Sequence, residues 1–213
     1  MENALRLWHG AQSWEPPPTI RPPKKGQAEH GAGIYCCAHY LTARKYAAGG
    51  GLAMDIFLKP NLRFLEDIKV QVSDLIEAAR SIPRLRARDQ IISDLERCGA
   101  RASVPGVVGL NVLVNLAVNY DAMIGQPAVE ITKFIVSRGA DASLYERTSG
   151  DDWLVIFNPE VILAARKRPS ATIDLAEYDR PRVRDQLERL RVATETPGRT
   201  AQESASVARG ARP

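Results

Sequence analysis

An α+β fold is predicted for this chain from three observations. Short apolar runs bounded by glycine, proline or asparagine fall in residues 1–60 and 140–165, as strands do. Between them, over about 67–135, apolar residues recur at three- and four-residue spacing, as on the buried faces of helices. The chain of 213 residues, 45% hydrophobic and 25% charged, is long enough and apolar enough to bury one core.

The elements follow in order. Ala4 to Trp8 reads as a strand ending at His9-Gly10. Trp14 to Lys25 contains prolines at 16, 17, 18, 22 and 23, which cannot donate to a sheet ladder, so an extended, irregular loop is predicted. Gly33 to Ala38 is a short apolar strand. Leu41 to Ala48 is helical and is stopped by Gly49-Gly50-Gly51. Leu52 to Leu58 is a strand. Val70 to Arg80 and Arg84 to Cys98 are helices, the second with Gly99 as its C-terminal cap. Val107 to Ile124 is apolar and is assigned to a helix. Pro127 to Arg138 is a helix with Pro127 in its first turn and Gly139 after its end. Ser143 to Arg147 and Trp153 to Phe157 are strands, Asn158-Pro159 is a turn, and Val161 to Ala165 is a further strand. Arg182 to Val192 forms one amphipathic helix. Thr194 to Pro213 is polar and apolar-poor, and disorder is expected there.

Residues 1–165 carry equal numbers of basic and acidic side chains, so the formal charge of +4 belongs to residues 166–213. The basic character is that of a tail, and it is weak evidence for nucleic-acid binding by the rest. Cys36, Cys37 and Cys98 are odd in number, and neighbours in a strand diverge. A disulfide framework is therefore not expected, and a reducing cytoplasm fits. The N-terminus lacks a basic stretch followed by an apolar one, and no run of about 18 apolar residues occurs, so neither a secretory signal nor a membrane span is expected. His30, Cys36, Cys37 and His39 match no common zinc spacing, and no metal is expected. Gly31-x-Gly33 lacks the third glycine and the following helix of a dinucleotide fingerprint. Lys24, Lys25 and Arg21 could meet a phosphate, or could simply be solvated. Arg84, Arg86 and Arg88 lie among acids and read as a mixed surface.

Three motifs remain: Leu7-Trp8-His9-Gly10, then Gly31-Ala32-Gly33-Ile34-Tyr35 with Ala43-Arg44-Lys45-Tyr46, then Asp151-Asp152-Trp153-Leu154-Val155-Ile156-Phe157-Asn158-Pro159. In this order the chain resembles the ADP-ribosyltransferase superfamily, in the branch of diphtheria toxin and the poly(ADP-ribose) polymerases. That branch has a His-Gly on an early strand, a Gly-x-Gly-Ile-Tyr strand with a second tyrosine on the following helix, and an acidic residue at the start of a late strand. Tyr35 and Tyr46 are eleven residues apart, as in the polymerases. The resemblance covers about 1–60 and 140–165 and leaves 67–135 unmatched.

The resemblance implies a split β-sheet core with a helical insertion. The domain would span 1–166, with the insertion at 67–135, and 167–213 would be a basic tail. It also implies NAD⁺ as co-substrate and transfer of ADP-ribose, a reaction whose oxocarbenium-like ribose needs a dry, charge-stabilising cleft. His9 would bond an NAD⁺ ribose hydroxyl, and the Gly10 backbone would bond the nicotinamide amide. Tyr35 and Tyr46 would sandwich the nicotinamide ring. The catalytic acid would be Asp151 or Asp152. Here the sequence departs from the family, because alignment on Phe157-Asn158-Pro159 puts Trp153 where the family glutamate stands. Asp151 lies two residues earlier on the same strand face, and Asp152 becomes equivalent only through a one-residue bulge. Ala43 replaces a serine that bonds the amide, a role left to Ser13 or Thr42. The expected function is an intracellular mono-ADP-ribosyltransferase of bacterial toxin or defence type, with a nucleic-acid or protein acceptor and a neutralising antitoxin protein. An NAD⁺ glycohydrolase, or an inactive module binding NAD⁺ or ADP-ribose on the same fold, are the alternatives.

Overall fold

The computed structural model describes residues 4–47, 51–146, 152–169 and 172–195. The first block holds β1 (Leu5–Ala11), β2 (Ile34–Cys37), α1 (Tyr40–Tyr46) and β3 (Leu52–Leu58). The middle holds β4 (Lys69–Gln71), α2 (Val72–Ser81), α3 (Arg88–Arg101), β5 (Val107–Gly109), α4 (Asn111–Asn119) and α5 (Gly125–Ser137). The last block holds β6 (Ala142–Glu146), β7 (Asp152–Ile156), β8 (Ile162–Lys167), α6 (Leu175–Tyr178) and α7 (Val183–Glu195). The two outer blocks interleave in one antiparallel sheet of order β6–β7–β2–β1–β3–β8, and β4 pairs with β5 alone. The fold is α+β.

Pairing within the large sheet is uneven. β1 and β3 are in register from Leu5–Leu58 through Ala11–Leu52, and β6 and β7 from Ala142–Ile156 through Glu146–Asp152. β1 and β2 share only the pair Trp8–Cys37. The sheet is thus nearly divided into β6–β7–β2 and β1–β3–β8.

Side-chain alternation gives the sheet two apolar faces. On one face Leu5, Leu7, Ile34, Cys36, Met54, Ile56, Leu154 and Ile156 are buried with Val183, and Leu187 and Leu190 of α7 pack against them. The other face carries Trp8, Cys37, Ala53 and Trp153, covered by Tyr40 and Ala43 of α1 and by Ile173. Farther along that face, Val155 and Phe157 join the core of the helical middle, which includes Leu75, Ile91, Leu95, Leu113 and Ile135.

Several boundaries move from their predicted places, and pairing is the cause. β1 runs on through His9-Gly10 because Gly10 and Ala11 pair with Ala53 and Leu52 of β3. Residues 69–71 form a strand instead of the first helical turn, because Lys69 through Gln71 pair with Gly109 through Val107. The assigned helix over Val107 to Ile124 is a strand and then α4. α3 begins at Arg88, since Arg84 and Ala87 hold left-handed φ values of 56° and 51°. Gly99 does not cap α3. It lies inside the helix, where a side chain would strike Val72, and the helix continues to Arg101.

Residues 172–183, among the described residues beyond Lys167, do not stand apart as a tail. Ile173 and Val183 are buried, Tyr178 stacks on Tyr40, and Trp8 Nε1 donates to the Glu177 carbonyl at 3.1 Å. A charge cluster fastens them. Asp55 is fully buried on β3, and Arg6 Nε donates to its carboxylate at 3.1 Å. Arg180, only 8% exposed, puts Nη1 2.9 Å from Asp55 Oδ1, poorly aligned for a hydrogen bond, with its guanidinium 3.8 Å over the Trp8 ring. Glu177 receives Arg6 and Arg168, each at 2.8 Å. Burial pushes the Arg180 pKa down to about 10, against the opposing pull of Asp55.

Candidate functional site

The three motif strands lie side by side as β7–β2–β1. His9 sits on β1 where it parts from β2. Its Nδ1 is 2.8 Å from the Tyr35 carbonyl, so the ring donates to a strand carbonyl across the seam. In the neutral ring this leaves Nε2 as an acceptor, the polarity needed to receive a hydroxyl. Trp14 packs edge-on against the imidazole with centroids 5.5 Å apart.

Burial holds the His9 pKa below its ordinary 6.5, and the bond to Tyr35 opposes this without reversing it. The unfolded chain therefore binds the proton more readily, and the stability present above pH 6.5 is lost as pH falls below it toward the folded value. Thermal melts between pH 8 and 5 should show a steeper acid loss for the native protein than for His9→Gln. Superimposable profiles would show that the fold does not favour neutral His9.

Tyr35 extends from β2 with its hydroxyl fixed at both ends. It donates to the Gly31 carbonyl at 2.8 Å and accepts from His30 N–H at 3.0 Å. Desolvation, with Glu29 nearby, pushes its pKa up to about 12, so it stays a neutral phenol. Tyr46, at the end of α1, is 60% exposed. Trp153 touches both tyrosine rings, at 6.1 Å from Tyr35 and 5.2 Å from Tyr46 between centroids.

Gly10 is placed against α1, where a side chain would overlap the Ala43 carbonyl oxygen. Its missing Cβ is thus needed for helix packing, whatever else its backbone meets. Ser13 accepts from Arg21 Nη1 at 3.1 Å, in the proline-rich loop beyond β1. Thr42 precedes Tyr46 by four residues and so shares its face of α1.

The two aspartates separate. β7 pairs with β2 and β6 in unbroken register from Trp153 to Ile156, and with β6 from Asp152, so no bulge intervenes. Asp152, buried, therefore points with Leu154 and Ile156 to the face that α7 covers, away from the rings of Tyr35 and Trp153; alternation along β1 places His9 on that same face with Leu5 and Leu7, so its bond to Tyr35 reaches the backbone and not the ring. Asp151 lies outside the described residues.

Several of the remaining candidates have local partners. Cys36 and Cys37 are buried on opposite faces, and burial pushes the Cys36 thiol well up. His39 Nδ1 pairs with Asp179 at 2.7 Å, and His30 stacks on Tyr145 at 3.4 Å. Lys25 and Arg86 both meet Asp121. Among the described residues no helix is long and apolar enough to cross a membrane. The buried Asp55 cluster was not anticipated, although one signal was present: Asp55 is the single charge in the apolar run Leu52 to Leu58, and a buried charge needs a partner.

No family model matches the chain, and no curated protein matches it. Among solved structures, a crystal structure of an anti-CRISPR protein aligns with a TM-score of 0.35 and 14% identity, covering 78% of this chain and 96% of that one.

Proposed function

We propose that this chain is an NAD⁺-dependent mono-ADP-ribosyltransferase with a split-sheet core of the diphtheria-toxin and poly(ADP-ribose) polymerase type, interrupted by a helical insertion. In this reading it is an intracellular toxin or defence effector of bacterial type, with a nucleic-acid or protein acceptor and an antitoxin as neutralising partner. The observation that carries the reading is the seam. The motif strands adjoin as β7–β2–β1, and His9 reaches Tyr35 across the one-pair junction of β1 and β2. NAD⁺ would have to pass through that seam, with His9 Nε2 accepting a ribose hydroxyl on the side of Leu5 and Leu7 and with Tyr35 and Tyr46 bounding the nicotinamide on the side of α1. Of the two aspartates, Asp151 takes the acid role, because it shares sequence parity with Trp153 and so with the face of the tyrosines that would bound the nicotinamide.

The test uses purified protein, ³²P-labelled NAD⁺, and cell lysate separated into protein, RNA and DNA. Label is expected in one fraction. Transfer should drop about 100-fold in His9→Ala and in Asp151→Ala, with the proteins still folded. Asp152→Asn, if folded, should keep transfer. Undiminished labelling by His9→Ala would overturn the assignment of the seam. NAD⁺ consumed without label identifies a glycohydrolase.

A second reading has its own observation. Trp153 contacts both tyrosines, and alignment on Phe157-Asn158-Pro159 sets it against the family acid; together these favour a module that binds NAD⁺ or ADP-ribose without turnover. Intact NAD⁺ with measurable binding decides for it.

A further inference from the structure

The helical middle carries a groove apart from the motif strands. It opens between β4, the first turn of α2 and the end of α5, with a volume of about 420 Å³. Small-molecule sites commonly measure roughly 300–1,000 Å³. Three elements bring cations to it. Arg63 is held by its main chain: its N–H donates to Asp141 Oδ2 at 3.0 Å, and its carbonyl accepts from the Asp141 N–H at 2.8 Å. Its guanidinium lies against Gly139, at a φ of 91°, where a side chain would overlap it. Lys69 projects from β4 over Gly109 of β5, with Nζ 3.8 Å from where a Cβ would stand. Arg138 follows α5, its guanidinium 5.1 Å over the Phe134 ring and its Nη1 3.2 Å from Asp74. Among the described residues lining the groove, Asp74 is the one acid against three cations. Ile68, Val70 and Val107 supply an apolar wall.

Cations that converge on one space repel one another, and a single carboxylate leaves an excess of positive charge that an anion would neutralise. A guanidinium fork matches two phosphate oxygens at once, and a lysine ammonium meets phosphate as a point charge. The apolar wall beside these cations suits an anion that carries a flat, weakly polar body. We propose that this groove binds the phosphate of a nucleotide, with Arg63, Lys69 and Arg138 on the phosphate and the base against Ile68, Val70 and Val107. Arg63 bonds to Asp141 and Ala142 at the start of β6, the edge strand on the far side of β7 from β2. The groove is therefore outside the β1–β2 seam, and the inference does not rest on the NAD⁺ reading.

The experiment titrates the full chain by calorimetry with adenosine monophosphate, with adenosine, and with a short single-stranded oligonucleotide. Adenosine monophosphate should bind about tenfold or more tighter than adenosine, which lacks the phosphate. Lys69→Gln and Arg63→Gln should each weaken it about tenfold and leave adenosine unchanged. Both side chains are exposed, so thermal melts should match the native protein. Lys167→Gln removes an equal charge from β8, at the opposite edge of the sheet, and should leave the affinity as it was. An oligonucleotide that binds tighter than the mononucleotide, and loses affinity in the same two variants, places the phosphate in a nucleic-acid strand. A mononucleotide that binds as well as the oligonucleotide places it in a free nucleotide. Equal affinities for adenosine monophosphate and adenosine, no binding of either phosphate ligand, or a phosphate affinity that survives both Lys69→Gln and Arg63→Gln overturns the groove. So does an equal loss in Lys167→Gln, which would mark attraction by net charge alone.

Discussion

Asp55→Asn is expected to lower the unfolding free energy by about 3–5 kcal/mol. The asparagine fits the space but supplies no charge. Arg6 and Arg168 are partly exposed, and water can compensate them. Arg180 is not so placed. It is 8% exposed, and its charge is answered by Asp55 and by the Trp8 ring face. Burial pushes its pKa down to about 10 even with Asp55 opposing the shift. Without Asp55 the guanidinium is buried with no carboxylate in contact. For a chain of this size the loss corresponds to a melting temperature roughly 10 °C lower. The double variant Asp55→Asn/Arg180→Leu should recover part of the loss, because removing both partners of a buried pair costs less than removing one. A melt of Asp55→Asn within about 2 °C of the native protein would show that the cluster does not hold the C-terminal segment.

The fold class was legible because it depends on period and composition, and these are local. β3 spans Leu52–Leu58 as predicted, and α5, β6, β7 and β8 lie within a few residues of their predicted bounds. What escaped was decided by pairing with distant residues. Nothing near Lys69 announces a strand, because its reason to be one is the ladder to Val107 through Gly109. His9-Gly10 reads locally as a turn, yet β3 draws it into the sheet. The candidate site divides the same way. The eleven-residue spacing of Tyr35 and Tyr46 was legible, since one helix and one strand end fix it. Which aspartate shares a face with Tyr35 depends on whether β7 carries a bulge, and only the ladders to β2 and β6 decide that for Asp152. The contact of Trp153 with both tyrosines requires three elements to converge, which no linear pattern encodes.

Residues 172–195 are where linear reading and packing diverge most, and deletion after Arg168 measures the difference. Read as a basic tail, they should be dispensable. Packing predicts that the truncated chain loses its cooperative fold. Ile173 and Val183 are buried, each contributing about 1.5–3 kcal/mol, and Leu187 and Leu190 add part of that amount. Their removal also uncovers Leu5, Leu7 and Met54 on one face of the sheet, and Trp8 and Tyr40 on the other. The sum approaches the entire net stability of an ordinary domain, about 5–15 kcal/mol. Circular dichroism should therefore show no cooperative melt for residues 1–168, and the chain should self-associate through the exposed faces. Val183→Asp reaches the same conclusion by one substitution, since it places an unpaired carboxylate at a fully buried position. A truncated protein that melts cooperatively within a few degrees of the full chain would mean that the sheet closes its own core and that α6 and α7 only rest upon it.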